Sequence, residues 1–218
     1  MASNTGLPPL ASNGVFSASA SIVIDAPRDL VWEVLMDWKS YHEWNPFVRG
    51  QCLTDALKNP LPPSQQTPRA GAHLLIYPVH IPASFDPPKI FPASSAFEVI
   101  TTLDPQNYRC AWKNVEWSSW ILDAERWQAL VEVVEDGRKK TRYETIEVFS
   151  GLLAYPIRYL LGSGLQGGFS AMAQGLKTRS EEKHSQQFPV RVVWYLATAA
   201  PKSIPLWTPS TLYCMSNT

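Results

Sequence analysis

Residues 152–187 carry apolar side chains at helical spacing: Leu153, Ile157, Leu160, Leu161, Leu165, Phe169, Met172 and Leu176. They follow directly on a succession of alternating, strand-like segments. This is the pattern that most restricts the fold. A helix that long must bury its stripe against those strands. A single helix cannot cover a strongly curved sheet by contact alone. The economical arrangement wraps the sheet around the helix and leaves room for an apolar cavity between them. The expected class is therefore α+β, a curved antiparallel sheet around a long C-terminal helix.

The upstream segments fit this plan. Phe16, Ala18, Ala20, Ile22 and Ile24 alternate with Ser17, Ser19 and Ser21, the pattern of a half-buried strand over 16–25. Pro27 is placed to open a helix whose stripe is Leu30, Val31, Val34 and Leu35, with Asp29 in its first turn. A short second helical turn spans about 40–44. Strands are expected at 47–53, 72–80, 96–103, 108–114, 118–134 (irregular near Asp123) and 140–149. The turns at Asp104-Pro105-Gln106-Asn107 and Glu135-Asp136-Gly137 suit hairpins. Residues 54–70 and 81–93 read as Pro-rich loops. Residues 1–15 read as a disordered leader, 16–187 as one domain, and 188–218 as an extension with one strand-like run at 190–196.

Composition removes several function classes. Lys+Arg and Asp+Glu are 19 each, so there is no basic surplus to attract nucleic acid or an anionic membrane. No apolar run approaches the ~20 residues of a transmembrane helix. Cys52, Cys110 and Cys214 form no C-x-x-C pair, and a reduced, cytoplasmic protein is expected. The four histidines (42, 73, 80, 184) lack ligand spacing, so neither metal nor cofactor is expected. Gly162-Ser163-Gly164-Leu165-Gln166-Gly167 has the letters of a dinucleotide fingerprint without the preceding strand that such a site needs.

Two stretches resemble a known family. The opening segment has Ala26-Pro27, Val31-Trp32, Asp37 and Trp44-x-Pro46, which looks like the start of the SRPBCC or START-like superfamily. Residues 147–153 (EVFSGLL), then Gly168-Phe169, Met172 and Leu176-Lys177, are similar to the last strand and closing helix of its polyketide cyclase/dehydrase-like branch. The resemblance covers about 16–185. It implies a helix-grip fold with a hydrophobic cavity and leaves the ligand unnamed.

Several residues are candidates for chemistry. By strand alternation Glu147 shares a face with Tyr143, Thr145 and Phe149. If that face points inward, Glu147 is a desolvated carboxylate suited to taking a proton next to a carbonyl. The plainer reading is a structural Glu bonded to loop backbone. One of Arg126 and Trp127 must face in; an inward Arg126 could hold an enolate or a carboxylate, and an outward one is a surface charge. His80 could be a general base, or simply a loop residue. Tyr77, Phe85 and Phe91 lie at or in the 81–93 loop, which reads as a lid or an inert insertion. Trp44, Trp127, Thr145, Phe149, Leu165, Phe169 and Met172 complete the expected substrate-binding set.

The resulting expectation is a cofactor-independent cyclase. It would close a ring, by aldol or lactone formation, on a small unsaturated or poly-β-carbonyl chain. Glu147 or His80 would be the base, with Tyr143 or Arg126 steadying the enolate. The alternative is a carrier or sensor of a hydrophobic small molecule such as a lipid or quinone. The expected partner is in either case a hydrophobic small molecule, and a homodimer is left open.

Overall fold

Pro27 does not enter the first helix but caps it. Its extended backbone (φ −60°, ψ 145°) turns the chain out of β1 (Phe16–Ile24) and into α1 (Arg28–Met36). Its carbonyl receives the Val31 N–H at 3.1 Å. Leu30, Val31, Val34 and Leu35 are the buried stripe of α1. A 3-10 turn at Trp38–Ser40 leads into α2 (Tyr41–Trp44). The computed structural model describes residues 11–87 and 94–187, together with Pro8. The expected extension at 188–218 and the second half of the 81–93 loop, with Phe91, lie outside the described residues.

The strands that follow are β2 (Gln51–Thr54), β3 (His73–Val79), β4 (Ser94–Asp104), β5 (Arg109–Asn114), β6 (Asp123–Glu135) and β7 (Arg138–Ser150). All neighbours are antiparallel, in the order β1-β7-β6-β5-β4-β3-β2. Register shifts at Ile76/Val79 and Ile100/Thr102 mark bulges, which bend strands and strengthen sheet curvature. The curved sheet holds α3 (Ala154–Gln187) in the helix-grip arrangement.

Two strand boundaries differ from expectation. The segment expected at 47–53 pairs regularly only from Gln51. Asn45 Oδ1 accepts the N–H groups of both Phe47 and Val48 at 3.0 Å, so this stretch turns instead of extending. The segment expected at 118–134 begins at Asp123, because Ser118 O takes the N–H groups of Ile121 and Leu122 in a turn. Within the expected leader, Ala11–Asn13 form one 3-10 turn, and the Val15 N–H bonds to Phe149 O at 2.8 Å.

The buried side of α3 runs through Leu165, Phe169, Met172, Ala173 and Leu176. Its first two turns stand further off the sheet, with Tyr155, Tyr159 and Leu160 exposed. The G-x-G-x-x-G letters lie inside α3, with no strand before them, so they form no phosphate loop.

Candidate functional site

Cross-strand register places one row of side chains on the inner face. Glu147 on β7 lies opposite Arg126 on β6, Arg126 opposite Trp112 on β5, and Trp112 opposite Ile100 on β4. The neighbouring row holds Phe149, Ala124, Asn114 and Glu98. Between these rows and the first half of α3 (Ile157, Leu161, Leu165) is a cavity of about 190 Å³, closed at one side by Phe47, Val48 and Ile81. Trp117 and Leu161 both line it and remain 49% and 39% exposed, so they mark its mouth.

Arg126 is 4% exposed and is the one cationic side chain lining this cavity among the described residues. Its Nε–H donates to Thr145 Oγ1 at 3.3 Å and an Nη2–H to Met172 Sδ at 3.2 Å. The guanidinium carbon stands 4.2 Å from the centre of the Phe169 ring. These three contacts fix the plane of the guanidinium. They also give Thr145, Phe169 and Met172 a definite place: they hold Arg126 and do not line the cavity.

Glu147 makes no hydrogen bond among the described residues, so its carboxylate is not held by loop backbone. Burial pushes its carboxyl up to about 7, and the charge of Arg126 opposes that rise. Glu98 is 3% exposed and lies well above the usual carboxylate range. Burial is the main cause, the charge of Glu147 adds to it, and Arg126 again opposes. Beside the rim Glu116, which pairs with Lys58, the cavity therefore holds one guanidinium and two buried carboxyl groups, Glu98 and Glu147, that cannot easily both ionise. Replacing Arg126 with Met removes the only lowering influence on both. The variant is expected to move the Glu147 titration above pH 7, seen by carbon NMR of labelled glutamate. An unmoved titration would show that Arg126 does not act on it.

The remaining expected site residues are dispersed. Tyr143 is on the correct face but fully buried in the core, and its hydroxyl donates to Gln128 Oε1 at 2.6 Å. His80 is 6% exposed, with its Nδ1 2.7 Å from Ser84 O, and is not among the cavity-lining residues. Trp44 is buried and packs on Tyr41, ring centres 4.8 Å apart. Tyr77 and Phe85 are exposed at the surface, and Arg49 covers the Phe85 ring. Trp127 belongs to the opposite face of the sheet, with Ser19, Ser21 and Ala129. The cavity thus joins Arg126, Glu147, Phe149 and Leu165 from the expected set. It adds Trp112 and Trp117, two of the several tryptophans that the sequence offered as able to stack on an unsaturated ligand, and Glu98, which sequence reasoning missed. The signal for Glu98 was a lone acid within the apolar run 96–100.

No family model and no curated protein matches the chain. Solved structures do. The Zhui aromatase/cyclase from Streptomyces sp. R1128 superposes with a TM-score of 0.54 at 14% identity, over 77% of this chain and 94% of that one. A START superfamily protein from Mycobacterium smegmatis gives 0.50 at 14%, over 77% and 98%. A norcoclaurine synthase point mutant from Thalictrum flavum, bound to a transition-state analogue, gives 0.50 at 12%, over 77% and 94%. At such identities the likeness establishes the fold: this chain has the helix-grip fold of START-like proteins. No cluster of metal-binding side chains and no helix long and apolar enough to cross a membrane occurs among the described residues.

Proposed function

We propose that the protein is a cofactor-independent cyclase of the polyketide type, acting on a small carbonyl compound folded into the cavity. The observation that carries this reading is the register pair Glu147–Arg126, a near-neutral carboxyl and a fixed guanidinium facing one apolar space. An aromatase/cyclase among the structural neighbours supports it.

In this reading Glu147 takes a proton from the carbon next to a carbonyl. The electron pair moves onto the oxygen, and the charge of Arg126 stabilises the enolate as it forms. The enolate carbon then attacks a second carbonyl of the same chain, and the proton returns from Glu147 to the new alkoxide. Atoms and protons balance without an external reagent. Folding the chain against Trp112, Phe149 and Leu165 brings the reacting carbons together.

A second reading, a carrier of hydrophobic small molecules, is favoured by the exposed apolar side chains at the mouth, Trp117 and Leu161. The cavity volume limits it. About 190 Å³ falls below the roughly 300–1,000 Å³ of ordinary ligand pockets, so a whole sterol or phospholipid would not fit.

Native mass spectrometry of the freshly purified chain, with extraction and identification of whatever is released, separates the two. A stoichiometric unsaturated or cyclised ketide is the expected result. A lipid or quinone that leaves unchanged after incubation would replace the cyclase with the carrier.

A further inference from the structure

Glu98 faces the same cavity as Glu147, from three strands away in the curved sheet. Its cross-strand partners are uncharged, Leu74 on β3 and Asn114 on β5. The side chain is almost wholly buried, and its Oε2 has no hydrogen-bond partner. Among the described residues no Lys, Arg or His nitrogen forms an ion pair with it. Arg126 is engaged with Thr145, Met172 and Phe169. Glu116 at the rim is already paired with Lys58 at 2.6 Å. The α3 residues facing the cavity, Ile157, Leu161 and Leu165, are apolar.

A carboxylate is costly there without a partner, so the resting group is a carboxylic acid. Such an acid carries one O–H donor, and the Glu98 Oε2 has no hydrogen-bond partner in the surrounding chain. A carbonyl oxygen bound in the cavity can accept that proton.

We propose that Glu98 is the proton donor to the bound substrate: its O–H is given to the carbonyl oxygen of a neutral ketone while Glu147 takes the proton from the adjacent carbon. This rests on the assignment of Glu147 as base. In the step a C–H bond breaks and its proton bonds to Glu147. The electron pair becomes the C=C bond of an enol, whose oxygen receives the Glu98 proton. Glu98 ends as the carboxylate and Glu147 as the acid, so the charge of the cavity is unchanged. Both carboxyl groups are displaced upward by burial, and at Glu98 the charge of Glu147 adds to it, which agrees with Glu98 as the donor and Glu147 as the acceptor. The substrate class follows. A neutral ketone or β-dicarbonyl fits, whereas a carboxylate ligand would bring a third acidic group against Glu98 and Glu147.

The probe is 2-tetralone, a neutral ketone with acidic C–H groups, applied to the full chain in D2O. Binding is followed by quenching of tryptophan fluorescence, since Trp112 and Trp117 line the cavity, and hydrogen exchange by proton NMR. Wild type is expected to bind and to accelerate exchange. Glu98→Gln, which keeps an N–H donor, should slow it about tenfold, and Glu98→Leu about 100-fold. Infrared spectra at pH 7 should show protonated-carboxyl absorption that Glu98→Gln diminishes, leaving the part contributed by Glu147, and that Glu147→Gln retains in its Glu98 part. Exchange lost in Glu147→Gln but unaltered in both Glu98 variants would overturn the donor role alone. So would protonated-carboxyl absorption that Glu98→Gln leaves undiminished. Absence of binding, or of exchange by wild type, would overturn the ketone class and the Glu147 assignment together.

Discussion

Glu147→Gln is expected to melt at a higher temperature than wild type above pH 7, and to lose at least 100-fold in turnover. The two effects share a cause. Glu147 titrates at about 7 in the folded chain against an ordinary value of 4.5. Folding therefore raises its proton affinity, and the stability this contributes is present below about pH 4.5. That stability is lost as pH rises from there through 7. Above pH 7 the folded chain carries an ionised, desolvated carboxylate, a cost of roughly 3 kcal/mol. Gln has the same shape and no such cost. For a chain of this size the gap corresponds to about 5–10 °C. Thermal melts at pH 4 should coincide, and those at pH 9 should separate. A residue whose removal stabilises the fold while stopping the reaction is held there for function. Melts that coincide at every pH would show that Glu147 is not desolvated, and the base assignment would fail with it. The Glu98 and Glu147 effects should also be non-additive, because the charge of Glu147 raises the proton affinity of Glu98.

Gly175→Ala is expected to destabilise the protein by about 2 kcal/mol or more, while the same change at Gly162 or Gly167 stabilises it. All three glycines are in α3, where Ala is the better helix former by about 0.5–1 kcal/mol. A Cβ at Gly162 or Gly167 would meet nothing within 4 Å, so that gain is realised in full. A Cβ at Gly175 would lie 2.4 Å from the Trp44 carbonyl oxygen. That atom is backbone and cannot rotate away, so α2 and α3 must separate. The separation would propagate to Phe169, two turns earlier on the same helix, which stacks on Arg126 and contacts Phe47 at 5.8 Å between ring centres. Chemical unfolding of the three variants tests this. A Gly175→Ala midpoint as high as that of Gly162→Ala would refute the close approach of α3 to α2.

Much of the architecture was legible because it is local. Period-two alternation named the inner face of β1, and the stripe of α1 matched its buried residues. The helical spacing after Gly151 located α3 to within two residues at its start. The face shared by Tyr143, Thr145, Glu147 and Phe149 was also readable, since parity along a strand needs no partner. Parity gives a face but not a depth. Tyr143 shares the face with Glu147, yet it lies four residues along the strand, where Gln128 takes its hydroxyl and the core closes over it.

The choice between Arg126 and Trp127 was open in the sequence, because either could turn inward. Pairing decided it: Arg126 falls opposite Glu147 and Trp112 on the inner face, which leaves Trp127 on the other. The aromatic character of Trp44, Tyr77 and Phe85 said nothing about what each would touch. α2 buries Trp44 against Tyr41, while β3 and the loop after it leave Tyr77 and Phe85 at the surface. Glu98 was hidden for a sharper reason. Its strand is apolar on both faces, so alternation assigns no direction to the acid at its centre. Only the register of β4 against β3 and β5, with its bulge at Ile100/Thr102, turns that carboxyl toward the cavity. Periodicity along the chain determined the elements and their faces. Pairing between strands far apart in sequence decided which side chains share the cavity, because that depends on distances that no single segment contains.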